Sequence, residues 1–459
     1  MENQQKKKSY TGALIVVTGL FFMWGFMTVQ NDILIPYLKG VFELNYAKAM
    51  LVQFAFFGAY FIGSLIYFFI SMYFGDPIGK MGYKNGLIHG LWISCLGALL
   101  FYPAAEFRMY GFFLSALFIM GLGFTLLQIA ANPYIAALGP EKTASSRLNL
   151  SQGFNSLGTT IGPIIGGFFI FKYFAVSDAS SAEAVKIPYL IFAVVFLLLA
   201  ILIKISDLPR VTEEEKIEKS AGALKYRQLV FGMIAIFVYV GAEVSIGSIL
   251  ISYLGLENIA GLEEAAASKY VAFYWGGLMI GRFMGAVSLS DMKNQLLKYS
   301  LLVLIPVLAF LVIYTYSGLQ IAMIYLVFLV INLFAFLAGK SLPNRTLYIF
   351  AFIAIGLLLT TLFTQGKIAM WSVIGIGIFN SIMWSNIFTL AIARLGKYTS
   401  QGSSLLVMMI LGGAIVPVIQ GAVADAYGVH ASFIVPVFCY AYLAFYGING
   451  YKPKKIINH

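Results

Sequence analysis

Long apolar runs recur along almost the whole of this 459-residue chain, and they restrict its possible folds more than any other feature. Hydrophobic residues make up 60% of the sequence and charged residues only 11%, whereas a soluble domain is about one quarter charged. About 20 apolar residues suffice to cross a bilayer as a helix, and a helix satisfies its own backbone groups there. We therefore predict an all-α polytopic membrane protein that spans the bilayer many times.

Fourteen runs are long enough to cross, and a charged linker divides them into six and eight. The linker is DLPRVTEEEKIEKSAGALKYRQ, residues 207–228. We predict an N-terminal six-helix bundle over residues 1–206 and a C-terminal bundle over 229–459. The runs lie near residues 12–37, 47–74, 86–105, 110–138, 148–174, 186–205, 229–254, 269–290, 299–316, 319–339, 346–364, 368–394, 401–424 and 431–449.

An internal repeat relates the two parts of the chain. DILIPYL (32–38) resembles GSILISYL (247–254), and GTTIGPIIGG (158–167) resembles LGGAIVPVIQG (411–421). Parallel repeats of this kind are typical of transporters whose binding site lies at the midplane between two halves. The repeat fits best if the two runs at about 299–339 are an inserted helix pair, which leaves six helices in each bundle.

Loop charges predict the orientation. With the N-terminus in the cytoplasm, 22 of the 30 Lys and Arg residues fall on cytoplasmic loops and ends, as the positive-inside rule requires. An even number of spans then places the C-terminus in the cytoplasm as well. Because these basic residues lie in short loops between spans, the net charge of +11 reflects orientation, and we expect no nucleic-acid partner.

Composition and motifs also exclude several kinds of site. Two cysteines in apolar runs and three scattered histidines suggest neither a disulfide framework nor a metal site. No phosphate-binding loop and no Ser/His/Asp arrangement is present. We therefore expect no enzyme activity and no cofactor.

Two carboxylates lie deep in apolar sequence. Asp32 follows Gln30 and Asn31 in LFFMWGFMTVQNDILIPYL (20–38), and Glu243 lies in VYVGAEVSIGSIL. An acid in a span costs about 2.5 kcal/mol or more on insertion scales, so such acids usually face a cavity or a partner. We interpret both as transport residues that face a water-accessible path. The alternative is a structural pair with the buried Arg282.

Amides and aromatic residues accompany these acids in several spans. Ring faces can stack on a sugar while amides and carboxylates bind its hydroxyl groups. Amides in spans also join helix to helix, at about 0.6 kcal/mol each, so each has a structural alternative. The polar positions repeat every three or four residues and are Gln128 and Asn132; Asn149, Gln152, Asn155 and Ser156; Tyr239 before Glu243; and Asn380 and Trp384, with Asn386 beyond.

The segments NDILIP, QIAANPY, RLNLSQGFNSLG, GAEVSIGS and YWGGLMIGR resemble the fucose–proton symporter branch of the major facilitator superfamily, especially its bacterial glucose/galactose transporters. The resemblance implies an alternating-access sugar–cation symporter, in the bacterial inner membrane and active as a monomer. It also implies that Asp32 is the coupling carboxylate and that Asn155 and its neighbours bind sugar. Two positions depart from the fucose symporters, which have Glu where this chain has Gln128 and Gln where it has Glu243.

The predicted sites follow from these observations together. The cation, Na⁺ or H⁺, is expected at Asp32 with Asn31 and Gln128, since hard cations favour oxygen ligands and burial favours a protonated acid. The alternatives are a 14-span drug–proton antiporter and a membrane sugar sensor that does not transport. The expected hexose ligands are Gln128, Asn132, Gln152, Asn155, Tyr239, Glu243, Trp275, Asn380 and Trp384.

Overall fold

The computed structural model describes residues 10–44, 48, 51–167, 185–210 and 219–453, and within these ranges the regular structure is helical. The N-terminal half contains α1 (Thr11–Thr28), α2 (Gln30–Val41), α3 (Leu51–Phe74), α4 (Pro77–Met81), α5 (Tyr83–Leu99), α6 (Phe101–Glu106), α7 (Tyr110–Ala137), α8 (Ala144–Gly167) and α9 (Lys186–Ile205). The C-terminal half contains α10 (Arg227–Leu254), α11 (Glu264–Ser288), α12 (Gln295–Gly339), α13 (Pro343–Phe363), α14 (Gly366–Asn380), α15 (Met383–Ile392), α16 (Thr399–Met408), α17 (Gly412–Tyr427) and α18 (Ile434–Phe445).

Within the described ranges, eleven helices or consecutive helix runs are long and apolar enough to cross a membrane. The 45-residue α12 counts once among them, and α8 and α11 are absent from the set. The sequence of α8 is rich in amides and hydroxyls, and α11 carries Lys269 and Arg282. The prediction of fourteen crossings therefore stays a prediction, although the described residues of each predicted run are mainly helical.

Helix packing repeats between the two halves. In the N-terminal half, α1 packs on α8, α3 on α7, and α5 on both α7 and α9. In the C-terminal half, α10 packs on α17, α11 on α14, and α13 on both α14 and α18. The two sets correspond in order once α12 is left out. The internal sequence repeat thus reflects a repeated packing scheme.

Helix α12 stands outside this scheme. Gly318 interrupts it with φ 83° and ψ 169°, so the segment consists of two helices, 295–317 and 319–339. Left-handed φ values are easily adopted only by glycine, which explains a one-residue junction here. The principal packing partners of α12 are α11, α13 and α14, so it lies at the side of its half, as an inserted pair would.

Three helices are interrupted or carry proline near the middle of the molecule. The predicted run 12–37 is divided between α1 and α2 at Val29, and α14 is separated from α15 at Ser381 and Ile382. Helix α7 instead continues through Pro133 without a break. Interrupted helices free backbone carbonyls, which is tolerated at membrane depth where they are buried in protein or line a cavity. Side chains of the candidate site use carbonyls freed in this way.

Candidate functional site

A cavity of about 220 Å³ lies between the two halves, near the middle of the helices. Seven helices contribute side chains to it, four from the N-terminal half (α1, α3, α7 and α8) and three from the C-terminal half (α10, α11 and α15), together with Ile410 in the short turn after α16. Its lining combines aromatic rings, amides, hydroxyls, one carboxylate and one guanidinium. The lining residues are Trp24, Thr28, Phe57, Tyr60, Gln128, Gln152, Asn155, Thr159, Tyr239, Val240, Glu243, Arg282, Trp384 and Ile410.

Helix periodicity brings the N-terminal residues to one wall. Gln152, Asn155 and Thr159 are three and four residues apart on α8, a spacing that places them on one helix face. Asn155 Nδ2 donates a hydrogen bond to the Phe21 carbonyl of α1 at 3.0 Å. A Cβ atom at Gly25 would overlap the Asn155 carbonyl. Glycine at this position therefore allows α1 and α8 to pack closely enough to hold the amide in place.

Aromatic side chains form the opposite part of the same wall. Trp24 Nε1 donates to the Tyr60 hydroxyl at 3.3 Å, which joins α1 to α3 across the cavity edge. Thr28 lies one turn after Trp24 and also lines the cavity. This hydrogen bond fixes the orientation of the Trp24 indole ring. The cavity is therefore bordered both by an apolar ring and by the amides of α8.

The C-terminal wall is built around Tyr239 and Glu243, one turn apart on α10. The Tyr239 hydroxyl donates to the Asn380 carbonyl at 3.2 Å, at the interruption between α14 and α15. Trp384 closes this wall, and its buried indole N–H has no hydrogen-bond partner within the described residues. The wall thus presents a carboxylate to the cavity, and the unpaired indole N–H of Trp384 is buried in the same wall.

Arg282 of α11 connects the two halves at the base of the cavity. Its Nη1 atom lies 3.4 Å from the Gln152 carbonyl and also bonds the Ser156 hydroxyl, both on α8. Its Nε atom donates to the Ser381 carbonyl at 3.3 Å. Arg282 and Glu243 form no ion pair within 4.0 Å, although both line the cavity. Arg282 is therefore held mainly by neutral oxygens.

Three predicted ligands lie away from the cavity lining. Asn132 is fully buried and donates to the Gln128 carbonyl of its own helix at 3.0 Å. Trp275 is 43% exposed and packs edge-on against Tyr274. Asn380 lies behind Tyr239, where it donates to the Tyr274 hydroxyl at 2.8 Å. Asn380 thus supports the wall of the cavity from behind.

The predicted cation site is only partly described. The side chains of Asn31 and Asp32 lie outside the described part of the chain, and only their backbone is placed, on α2. That backbone begins directly after Thr28 and Val29, so Asp32 follows the cavity-lining Thr28 by four residues. Gln128, the third predicted ligand, is buried and lines the cavity. Among the described residues, no group of three or more His, Cys, Asp or Glu could hold a metal ion.

The sequence missed several lining residues. Trp24 and Tyr60 lie in apolar runs where aromatic residues are common, so they carry no distinguishing signal. For Arg282, the sequence predicts only a possible counter-ion of the two acids within predicted spans. The position of Arg282 inside a predicted span could have identified it as a site residue, because a guanidinium in a span is as unusual as a carboxylate and implies polar neighbours.

Below the cavity, the halves are joined on the side where the linker emerges. Ser145 and Thr389 hydroxyl oxygens are 2.5 Å apart, and Ser146 donates to the Ala286 carbonyl at 2.5 Å. Asn149 Nδ2 donates to Asn386 Oδ1 at 3.2 Å. Ser145, Ser146 and Asn149 lie in the first two turns of α8, so Asn149 joins helices of the two halves on the linker side and is not part of the cavity lining.

A second contact on this side involves the loop after α3. Asp76 is 6% exposed and accepts hydrogen bonds from the Tyr67 hydroxyl and from the Ile78 amide. Burial raises the pKa of its carboxyl, while hydrogen bonds from Tyr67 and from Ser400 of the other half oppose this shift. Gln401 Nε2 also donates to Ser71 Oγ at 3.1 Å. The start of α16 is therefore held against the end of α3.

Comparison with known proteins agrees with this architecture. The chain is 46% identical over 452 residues to a glucose/galactose transporter of Brucella abortus biovar 1 (strain 9-941), covering 97% of this chain and 96% of that protein. It is 31% identical to the L-fucose-proton symporter of Escherichia coli (strain K12), covering 95% and 92%. A crystal structure of a Major Facilitator Superfamily transporter in the outward conformation, FucP, superposes with a TM-score of 0.76 at 30% identity, over 96% of this chain and 99% of that one. The Major Facilitator Superfamily profile itself matches residues 15–409, and the chain belongs to this superfamily of membrane transporters.

Proposed function

We propose that this protein is a cation-coupled symporter that imports a hexose such as glucose or galactose by alternating access. The central observation is the cavity between the halves, where amides, a carboxylate and aromatic rings from both sides border one small space. A sugar needs this combination, because its hydroxyl groups both donate and accept hydrogen bonds while its ring faces are apolar. Relatives named as glucose/galactose transporters and fucose–proton symporters support the same substrate class.

The size and polarity of the cavity favour a sugar over a drug. Drug-sized ligands occupy pockets of about 300–1,000 Å³ that are mostly apolar, whereas this cavity measures about 220 Å³. Gln128, Gln152 and Asn155 border it on one side and Glu243 on the other. A drug–proton antiporter would leave these polar groups without partners on binding, which costs about 1–3 kcal/mol for each group.

We assign direct sugar contacts to the cavity-lining members of the predicted set. These are Gln128, Gln152, Asn155, Tyr239, Glu243 and Trp384, with Trp24 and Tyr60 as additional aromatic contacts. Asn380 is assigned a supporting role through its hydrogen bond to Tyr274. Asp32, with Asn31 and Gln128, is proposed as the site of the coupled Na⁺ or H⁺.

Each half is proposed to move as one domain, residues 1–206 and 229–459, joined by the linker 207–228. The contacts on the linker side, together with the likeness to a relative in the outward conformation, support an outward-facing state. We further propose fourteen crossings, with both termini and the linker in the cytoplasm, in a bacterial inner membrane. A single copy of the chain would then suffice for transport.

Counterflow assays with purified protein test this function. Vesicles preloaded with unlabelled hexose are expected to accumulate labelled glucose or galactose transiently, without any cation gradient. A panel of hexoses then identifies the substrate. Dye efflux without sugar exchange would support the antiporter, and sugar binding without exchange would support a sensor.

Locking the closed side is expected to stop transport. The Ser145 and Thr389 hydroxyl oxygens are 2.5 Å apart, so cysteines at both positions should form a disulfide with an S–S bond of about 2.05 Å. Oxidation of the Ser145→Cys/Thr389→Cys variant should abolish nearly all sugar exchange, and reduction should restore it. Each single variant under the same oxidant is the control. Full exchange by the cross-linked protein would show that these helices need not separate.

A further inference from the structure

A second cavity lies far from the site between the halves, at the linker end of α5 and α9. Its volume is about 560 Å³, and its lining comes entirely from the N-terminal half and the first residues of the linker. Its polar and aromatic lining residues are Lys84, Asn85, His89, Trp92, Lys204 and Arg210. The proposed transport mechanism uses none of them.

The charge of this cavity is uniformly positive. Lys84, Lys204 and Arg210 contribute three cations, and no Asp or Glu is among its lining residues. Lys84 Nζ donates to the Ser206 carbonyl at 2.8 Å, which connects the start of α5 to the end of α9. Lys204 and Arg210 have exposed side chains. Three convergent cations of this kind favour an anionic group, and phosphate is the common one at a membrane surface.

The polarity of the cavity changes along the helices. On α5, Asn85, Ile88 and Trp92 are spaced by three and four residues and therefore share one face. The rise from Asn85 to Trp92 is about 10 Å. Lys84 and Asn85 begin this stripe at the helix end, and Trp92 ends it within the span. The cationic end thus lies at the membrane boundary and the aromatic end lies deeper.

The deeper end faces away from the protein. The side chains of Trp92 and Ile201 are 52% and 46% exposed, and Ile88 and Ala200 also belong to the apolar part of the lining. In a membrane-spanning helix, exposed apolar side chains at this depth contact lipid tails. A free phosphate ion would use only the cationic end, whereas a phospholipid would occupy both ends at once.

We propose that this cavity binds an anionic phospholipid of the leaflet on the linker side. Its phosphate contacts Lys84, Lys204 and Arg210, and an acyl chain lies along Trp92 and Ile201. The wall next to the phosphate is fixed, because the Tyr134 hydroxyl donates to the Pro209 carbonyl at 3.0 Å. A bound lipid therefore contacts α5, α9 and the first residues of the linker between the two halves.

Quenching of Trp92 fluorescence tests this site in the full-length protein in vesicles. Phosphatidylglycerol with brominated acyl chains is mixed into a phosphatidylcholine bilayer, and brominated phosphatidylcholine serves as the neutral lipid. Subtracting the signal of the Trp92→Phe variant isolates this residue. We expect brominated phosphatidylglycerol to quench Trp92 at much lower mole fractions than brominated phosphatidylcholine.

Charge variants then locate the headgroup. Two exposed cations contribute about 1 kcal/mol each near an anionic surface. The double variant Lys204→Gln/Arg210→Gln should therefore weaken the preference for phosphatidylglycerol over phosphatidylcholine about 30-fold. Lys225→Gln/Lys293→Gln removes two exposed cations that do not line the cavity, and it should leave the preference unchanged. An equal loss in both double variants would overturn the proposal, as would equal quenching by the two brominated lipids.

Two further measurements distinguish a bound phospholipid from other possible occupants of this cavity. If inorganic phosphate or glycerol phosphate relieves the quenching, the site takes a soluble phosphate compound and the lipid proposal is wrong. Glu213, Glu214 and Glu215 follow Arg210 closely in the sequence. If the preference for phosphatidylglycerol arises only after these three are changed to Gln, the acidic segment of the chain is the natural occupant and the proposal fails.

Discussion

The Asp32→Asn variant is expected to bind and exchange sugar but to lose all concentrative uptake. An amide retains the size and one oxygen of the side chain but can neither take up a proton nor neutralise a bound Na⁺. A cation gradient then has no differential effect on the two states of the carrier, and it cannot bias their populations. The measurement is the steady-state ratio of internal to external labelled hexose, with counterflow measured on the same preparation.

The matched control is Asp425→Asn, which makes the same chemical change at an exposed position on α17. It should accumulate sugar as the unaltered protein does. Accumulation above the external concentration by Asp32→Asn would remove Asp32 from the coupling role. Loss of both uptake and counterflow would instead indicate that Asp32 is needed for binding or folding.

The Glu243→Gln variant is expected to lose about 30-fold in sugar affinity while it folds normally. A hydrogen bond to a charged acceptor contributes about 1.5–3 kcal/mol. Loss of about 2 kcal/mol of binding free energy corresponds to about a 30-fold loss of affinity. Glu243 faces the cavity beside Tyr239, and it has no ion pair with Arg282 within 4.0 Å. The carboxylate is thus available to a ligand. The measurement is the hexose concentration for half-maximal counterflow.

Arg282→Lys distinguishes sugar binding from a structural acid–base pair. Lysine keeps the positive charge but cannot contact Ser156, the Gln152 carbonyl and the Ser381 carbonyl together as the guanidinium does. We expect this variant to retain more sugar affinity than Glu243→Gln but to transport more slowly, since those contacts join the halves. If Glu243→Gln expresses as aggregate while Arg282→Lys is normal, Glu243 is chiefly structural and its assigned ligand role is wrong.

Most of the helices could be predicted, because apolar periodicity and length determine where a chain can cross a bilayer. The helix pair at 299–339 could also be inferred, since the repeat aligns only without it. Apolar periodicity does not reveal where a membrane-spanning helix is interrupted. The separation of α14 from α15 at Ser381 and Ile382 occurs without proline or glycine at those positions, and it depends on tertiary contacts such as those of Arg282 and Tyr239.

The site could be predicted by residue type more reliably than by position. Gln128, Gln152, Asn155, Tyr239, Glu243 and Trp384 all line one cavity. Asn132 and Asn380 carry the same amide group, yet one bonds its own helix and the other supports a tyrosine. Which face of a helix meets the cavity depends on packing angles between distant helices, and a single sequence contains no direct record of these angles.

The burial of Asp76 also cannot be predicted from its local sequence. Its local sequence, FGDPIGK, has the form of a polar loop, so no deep carboxylate was expected there. It becomes buried because Tyr67 of α3 and Ser400 of α16 converge on it from different halves. Burial of this acid therefore depends on contacts between helices that are far apart in sequence.

Uptake of labelled glucose and galactose into proteoliposomes tests the central claim most directly. The purified protein is given an inward Na⁺ gradient, an inward H⁺ gradient or neither, at zero membrane potential. We predict accumulation above the external concentration with one of the two gradients, and simple equilibration without a gradient. Equal final levels under all three conditions would contradict cation-coupled sugar transport by this protein.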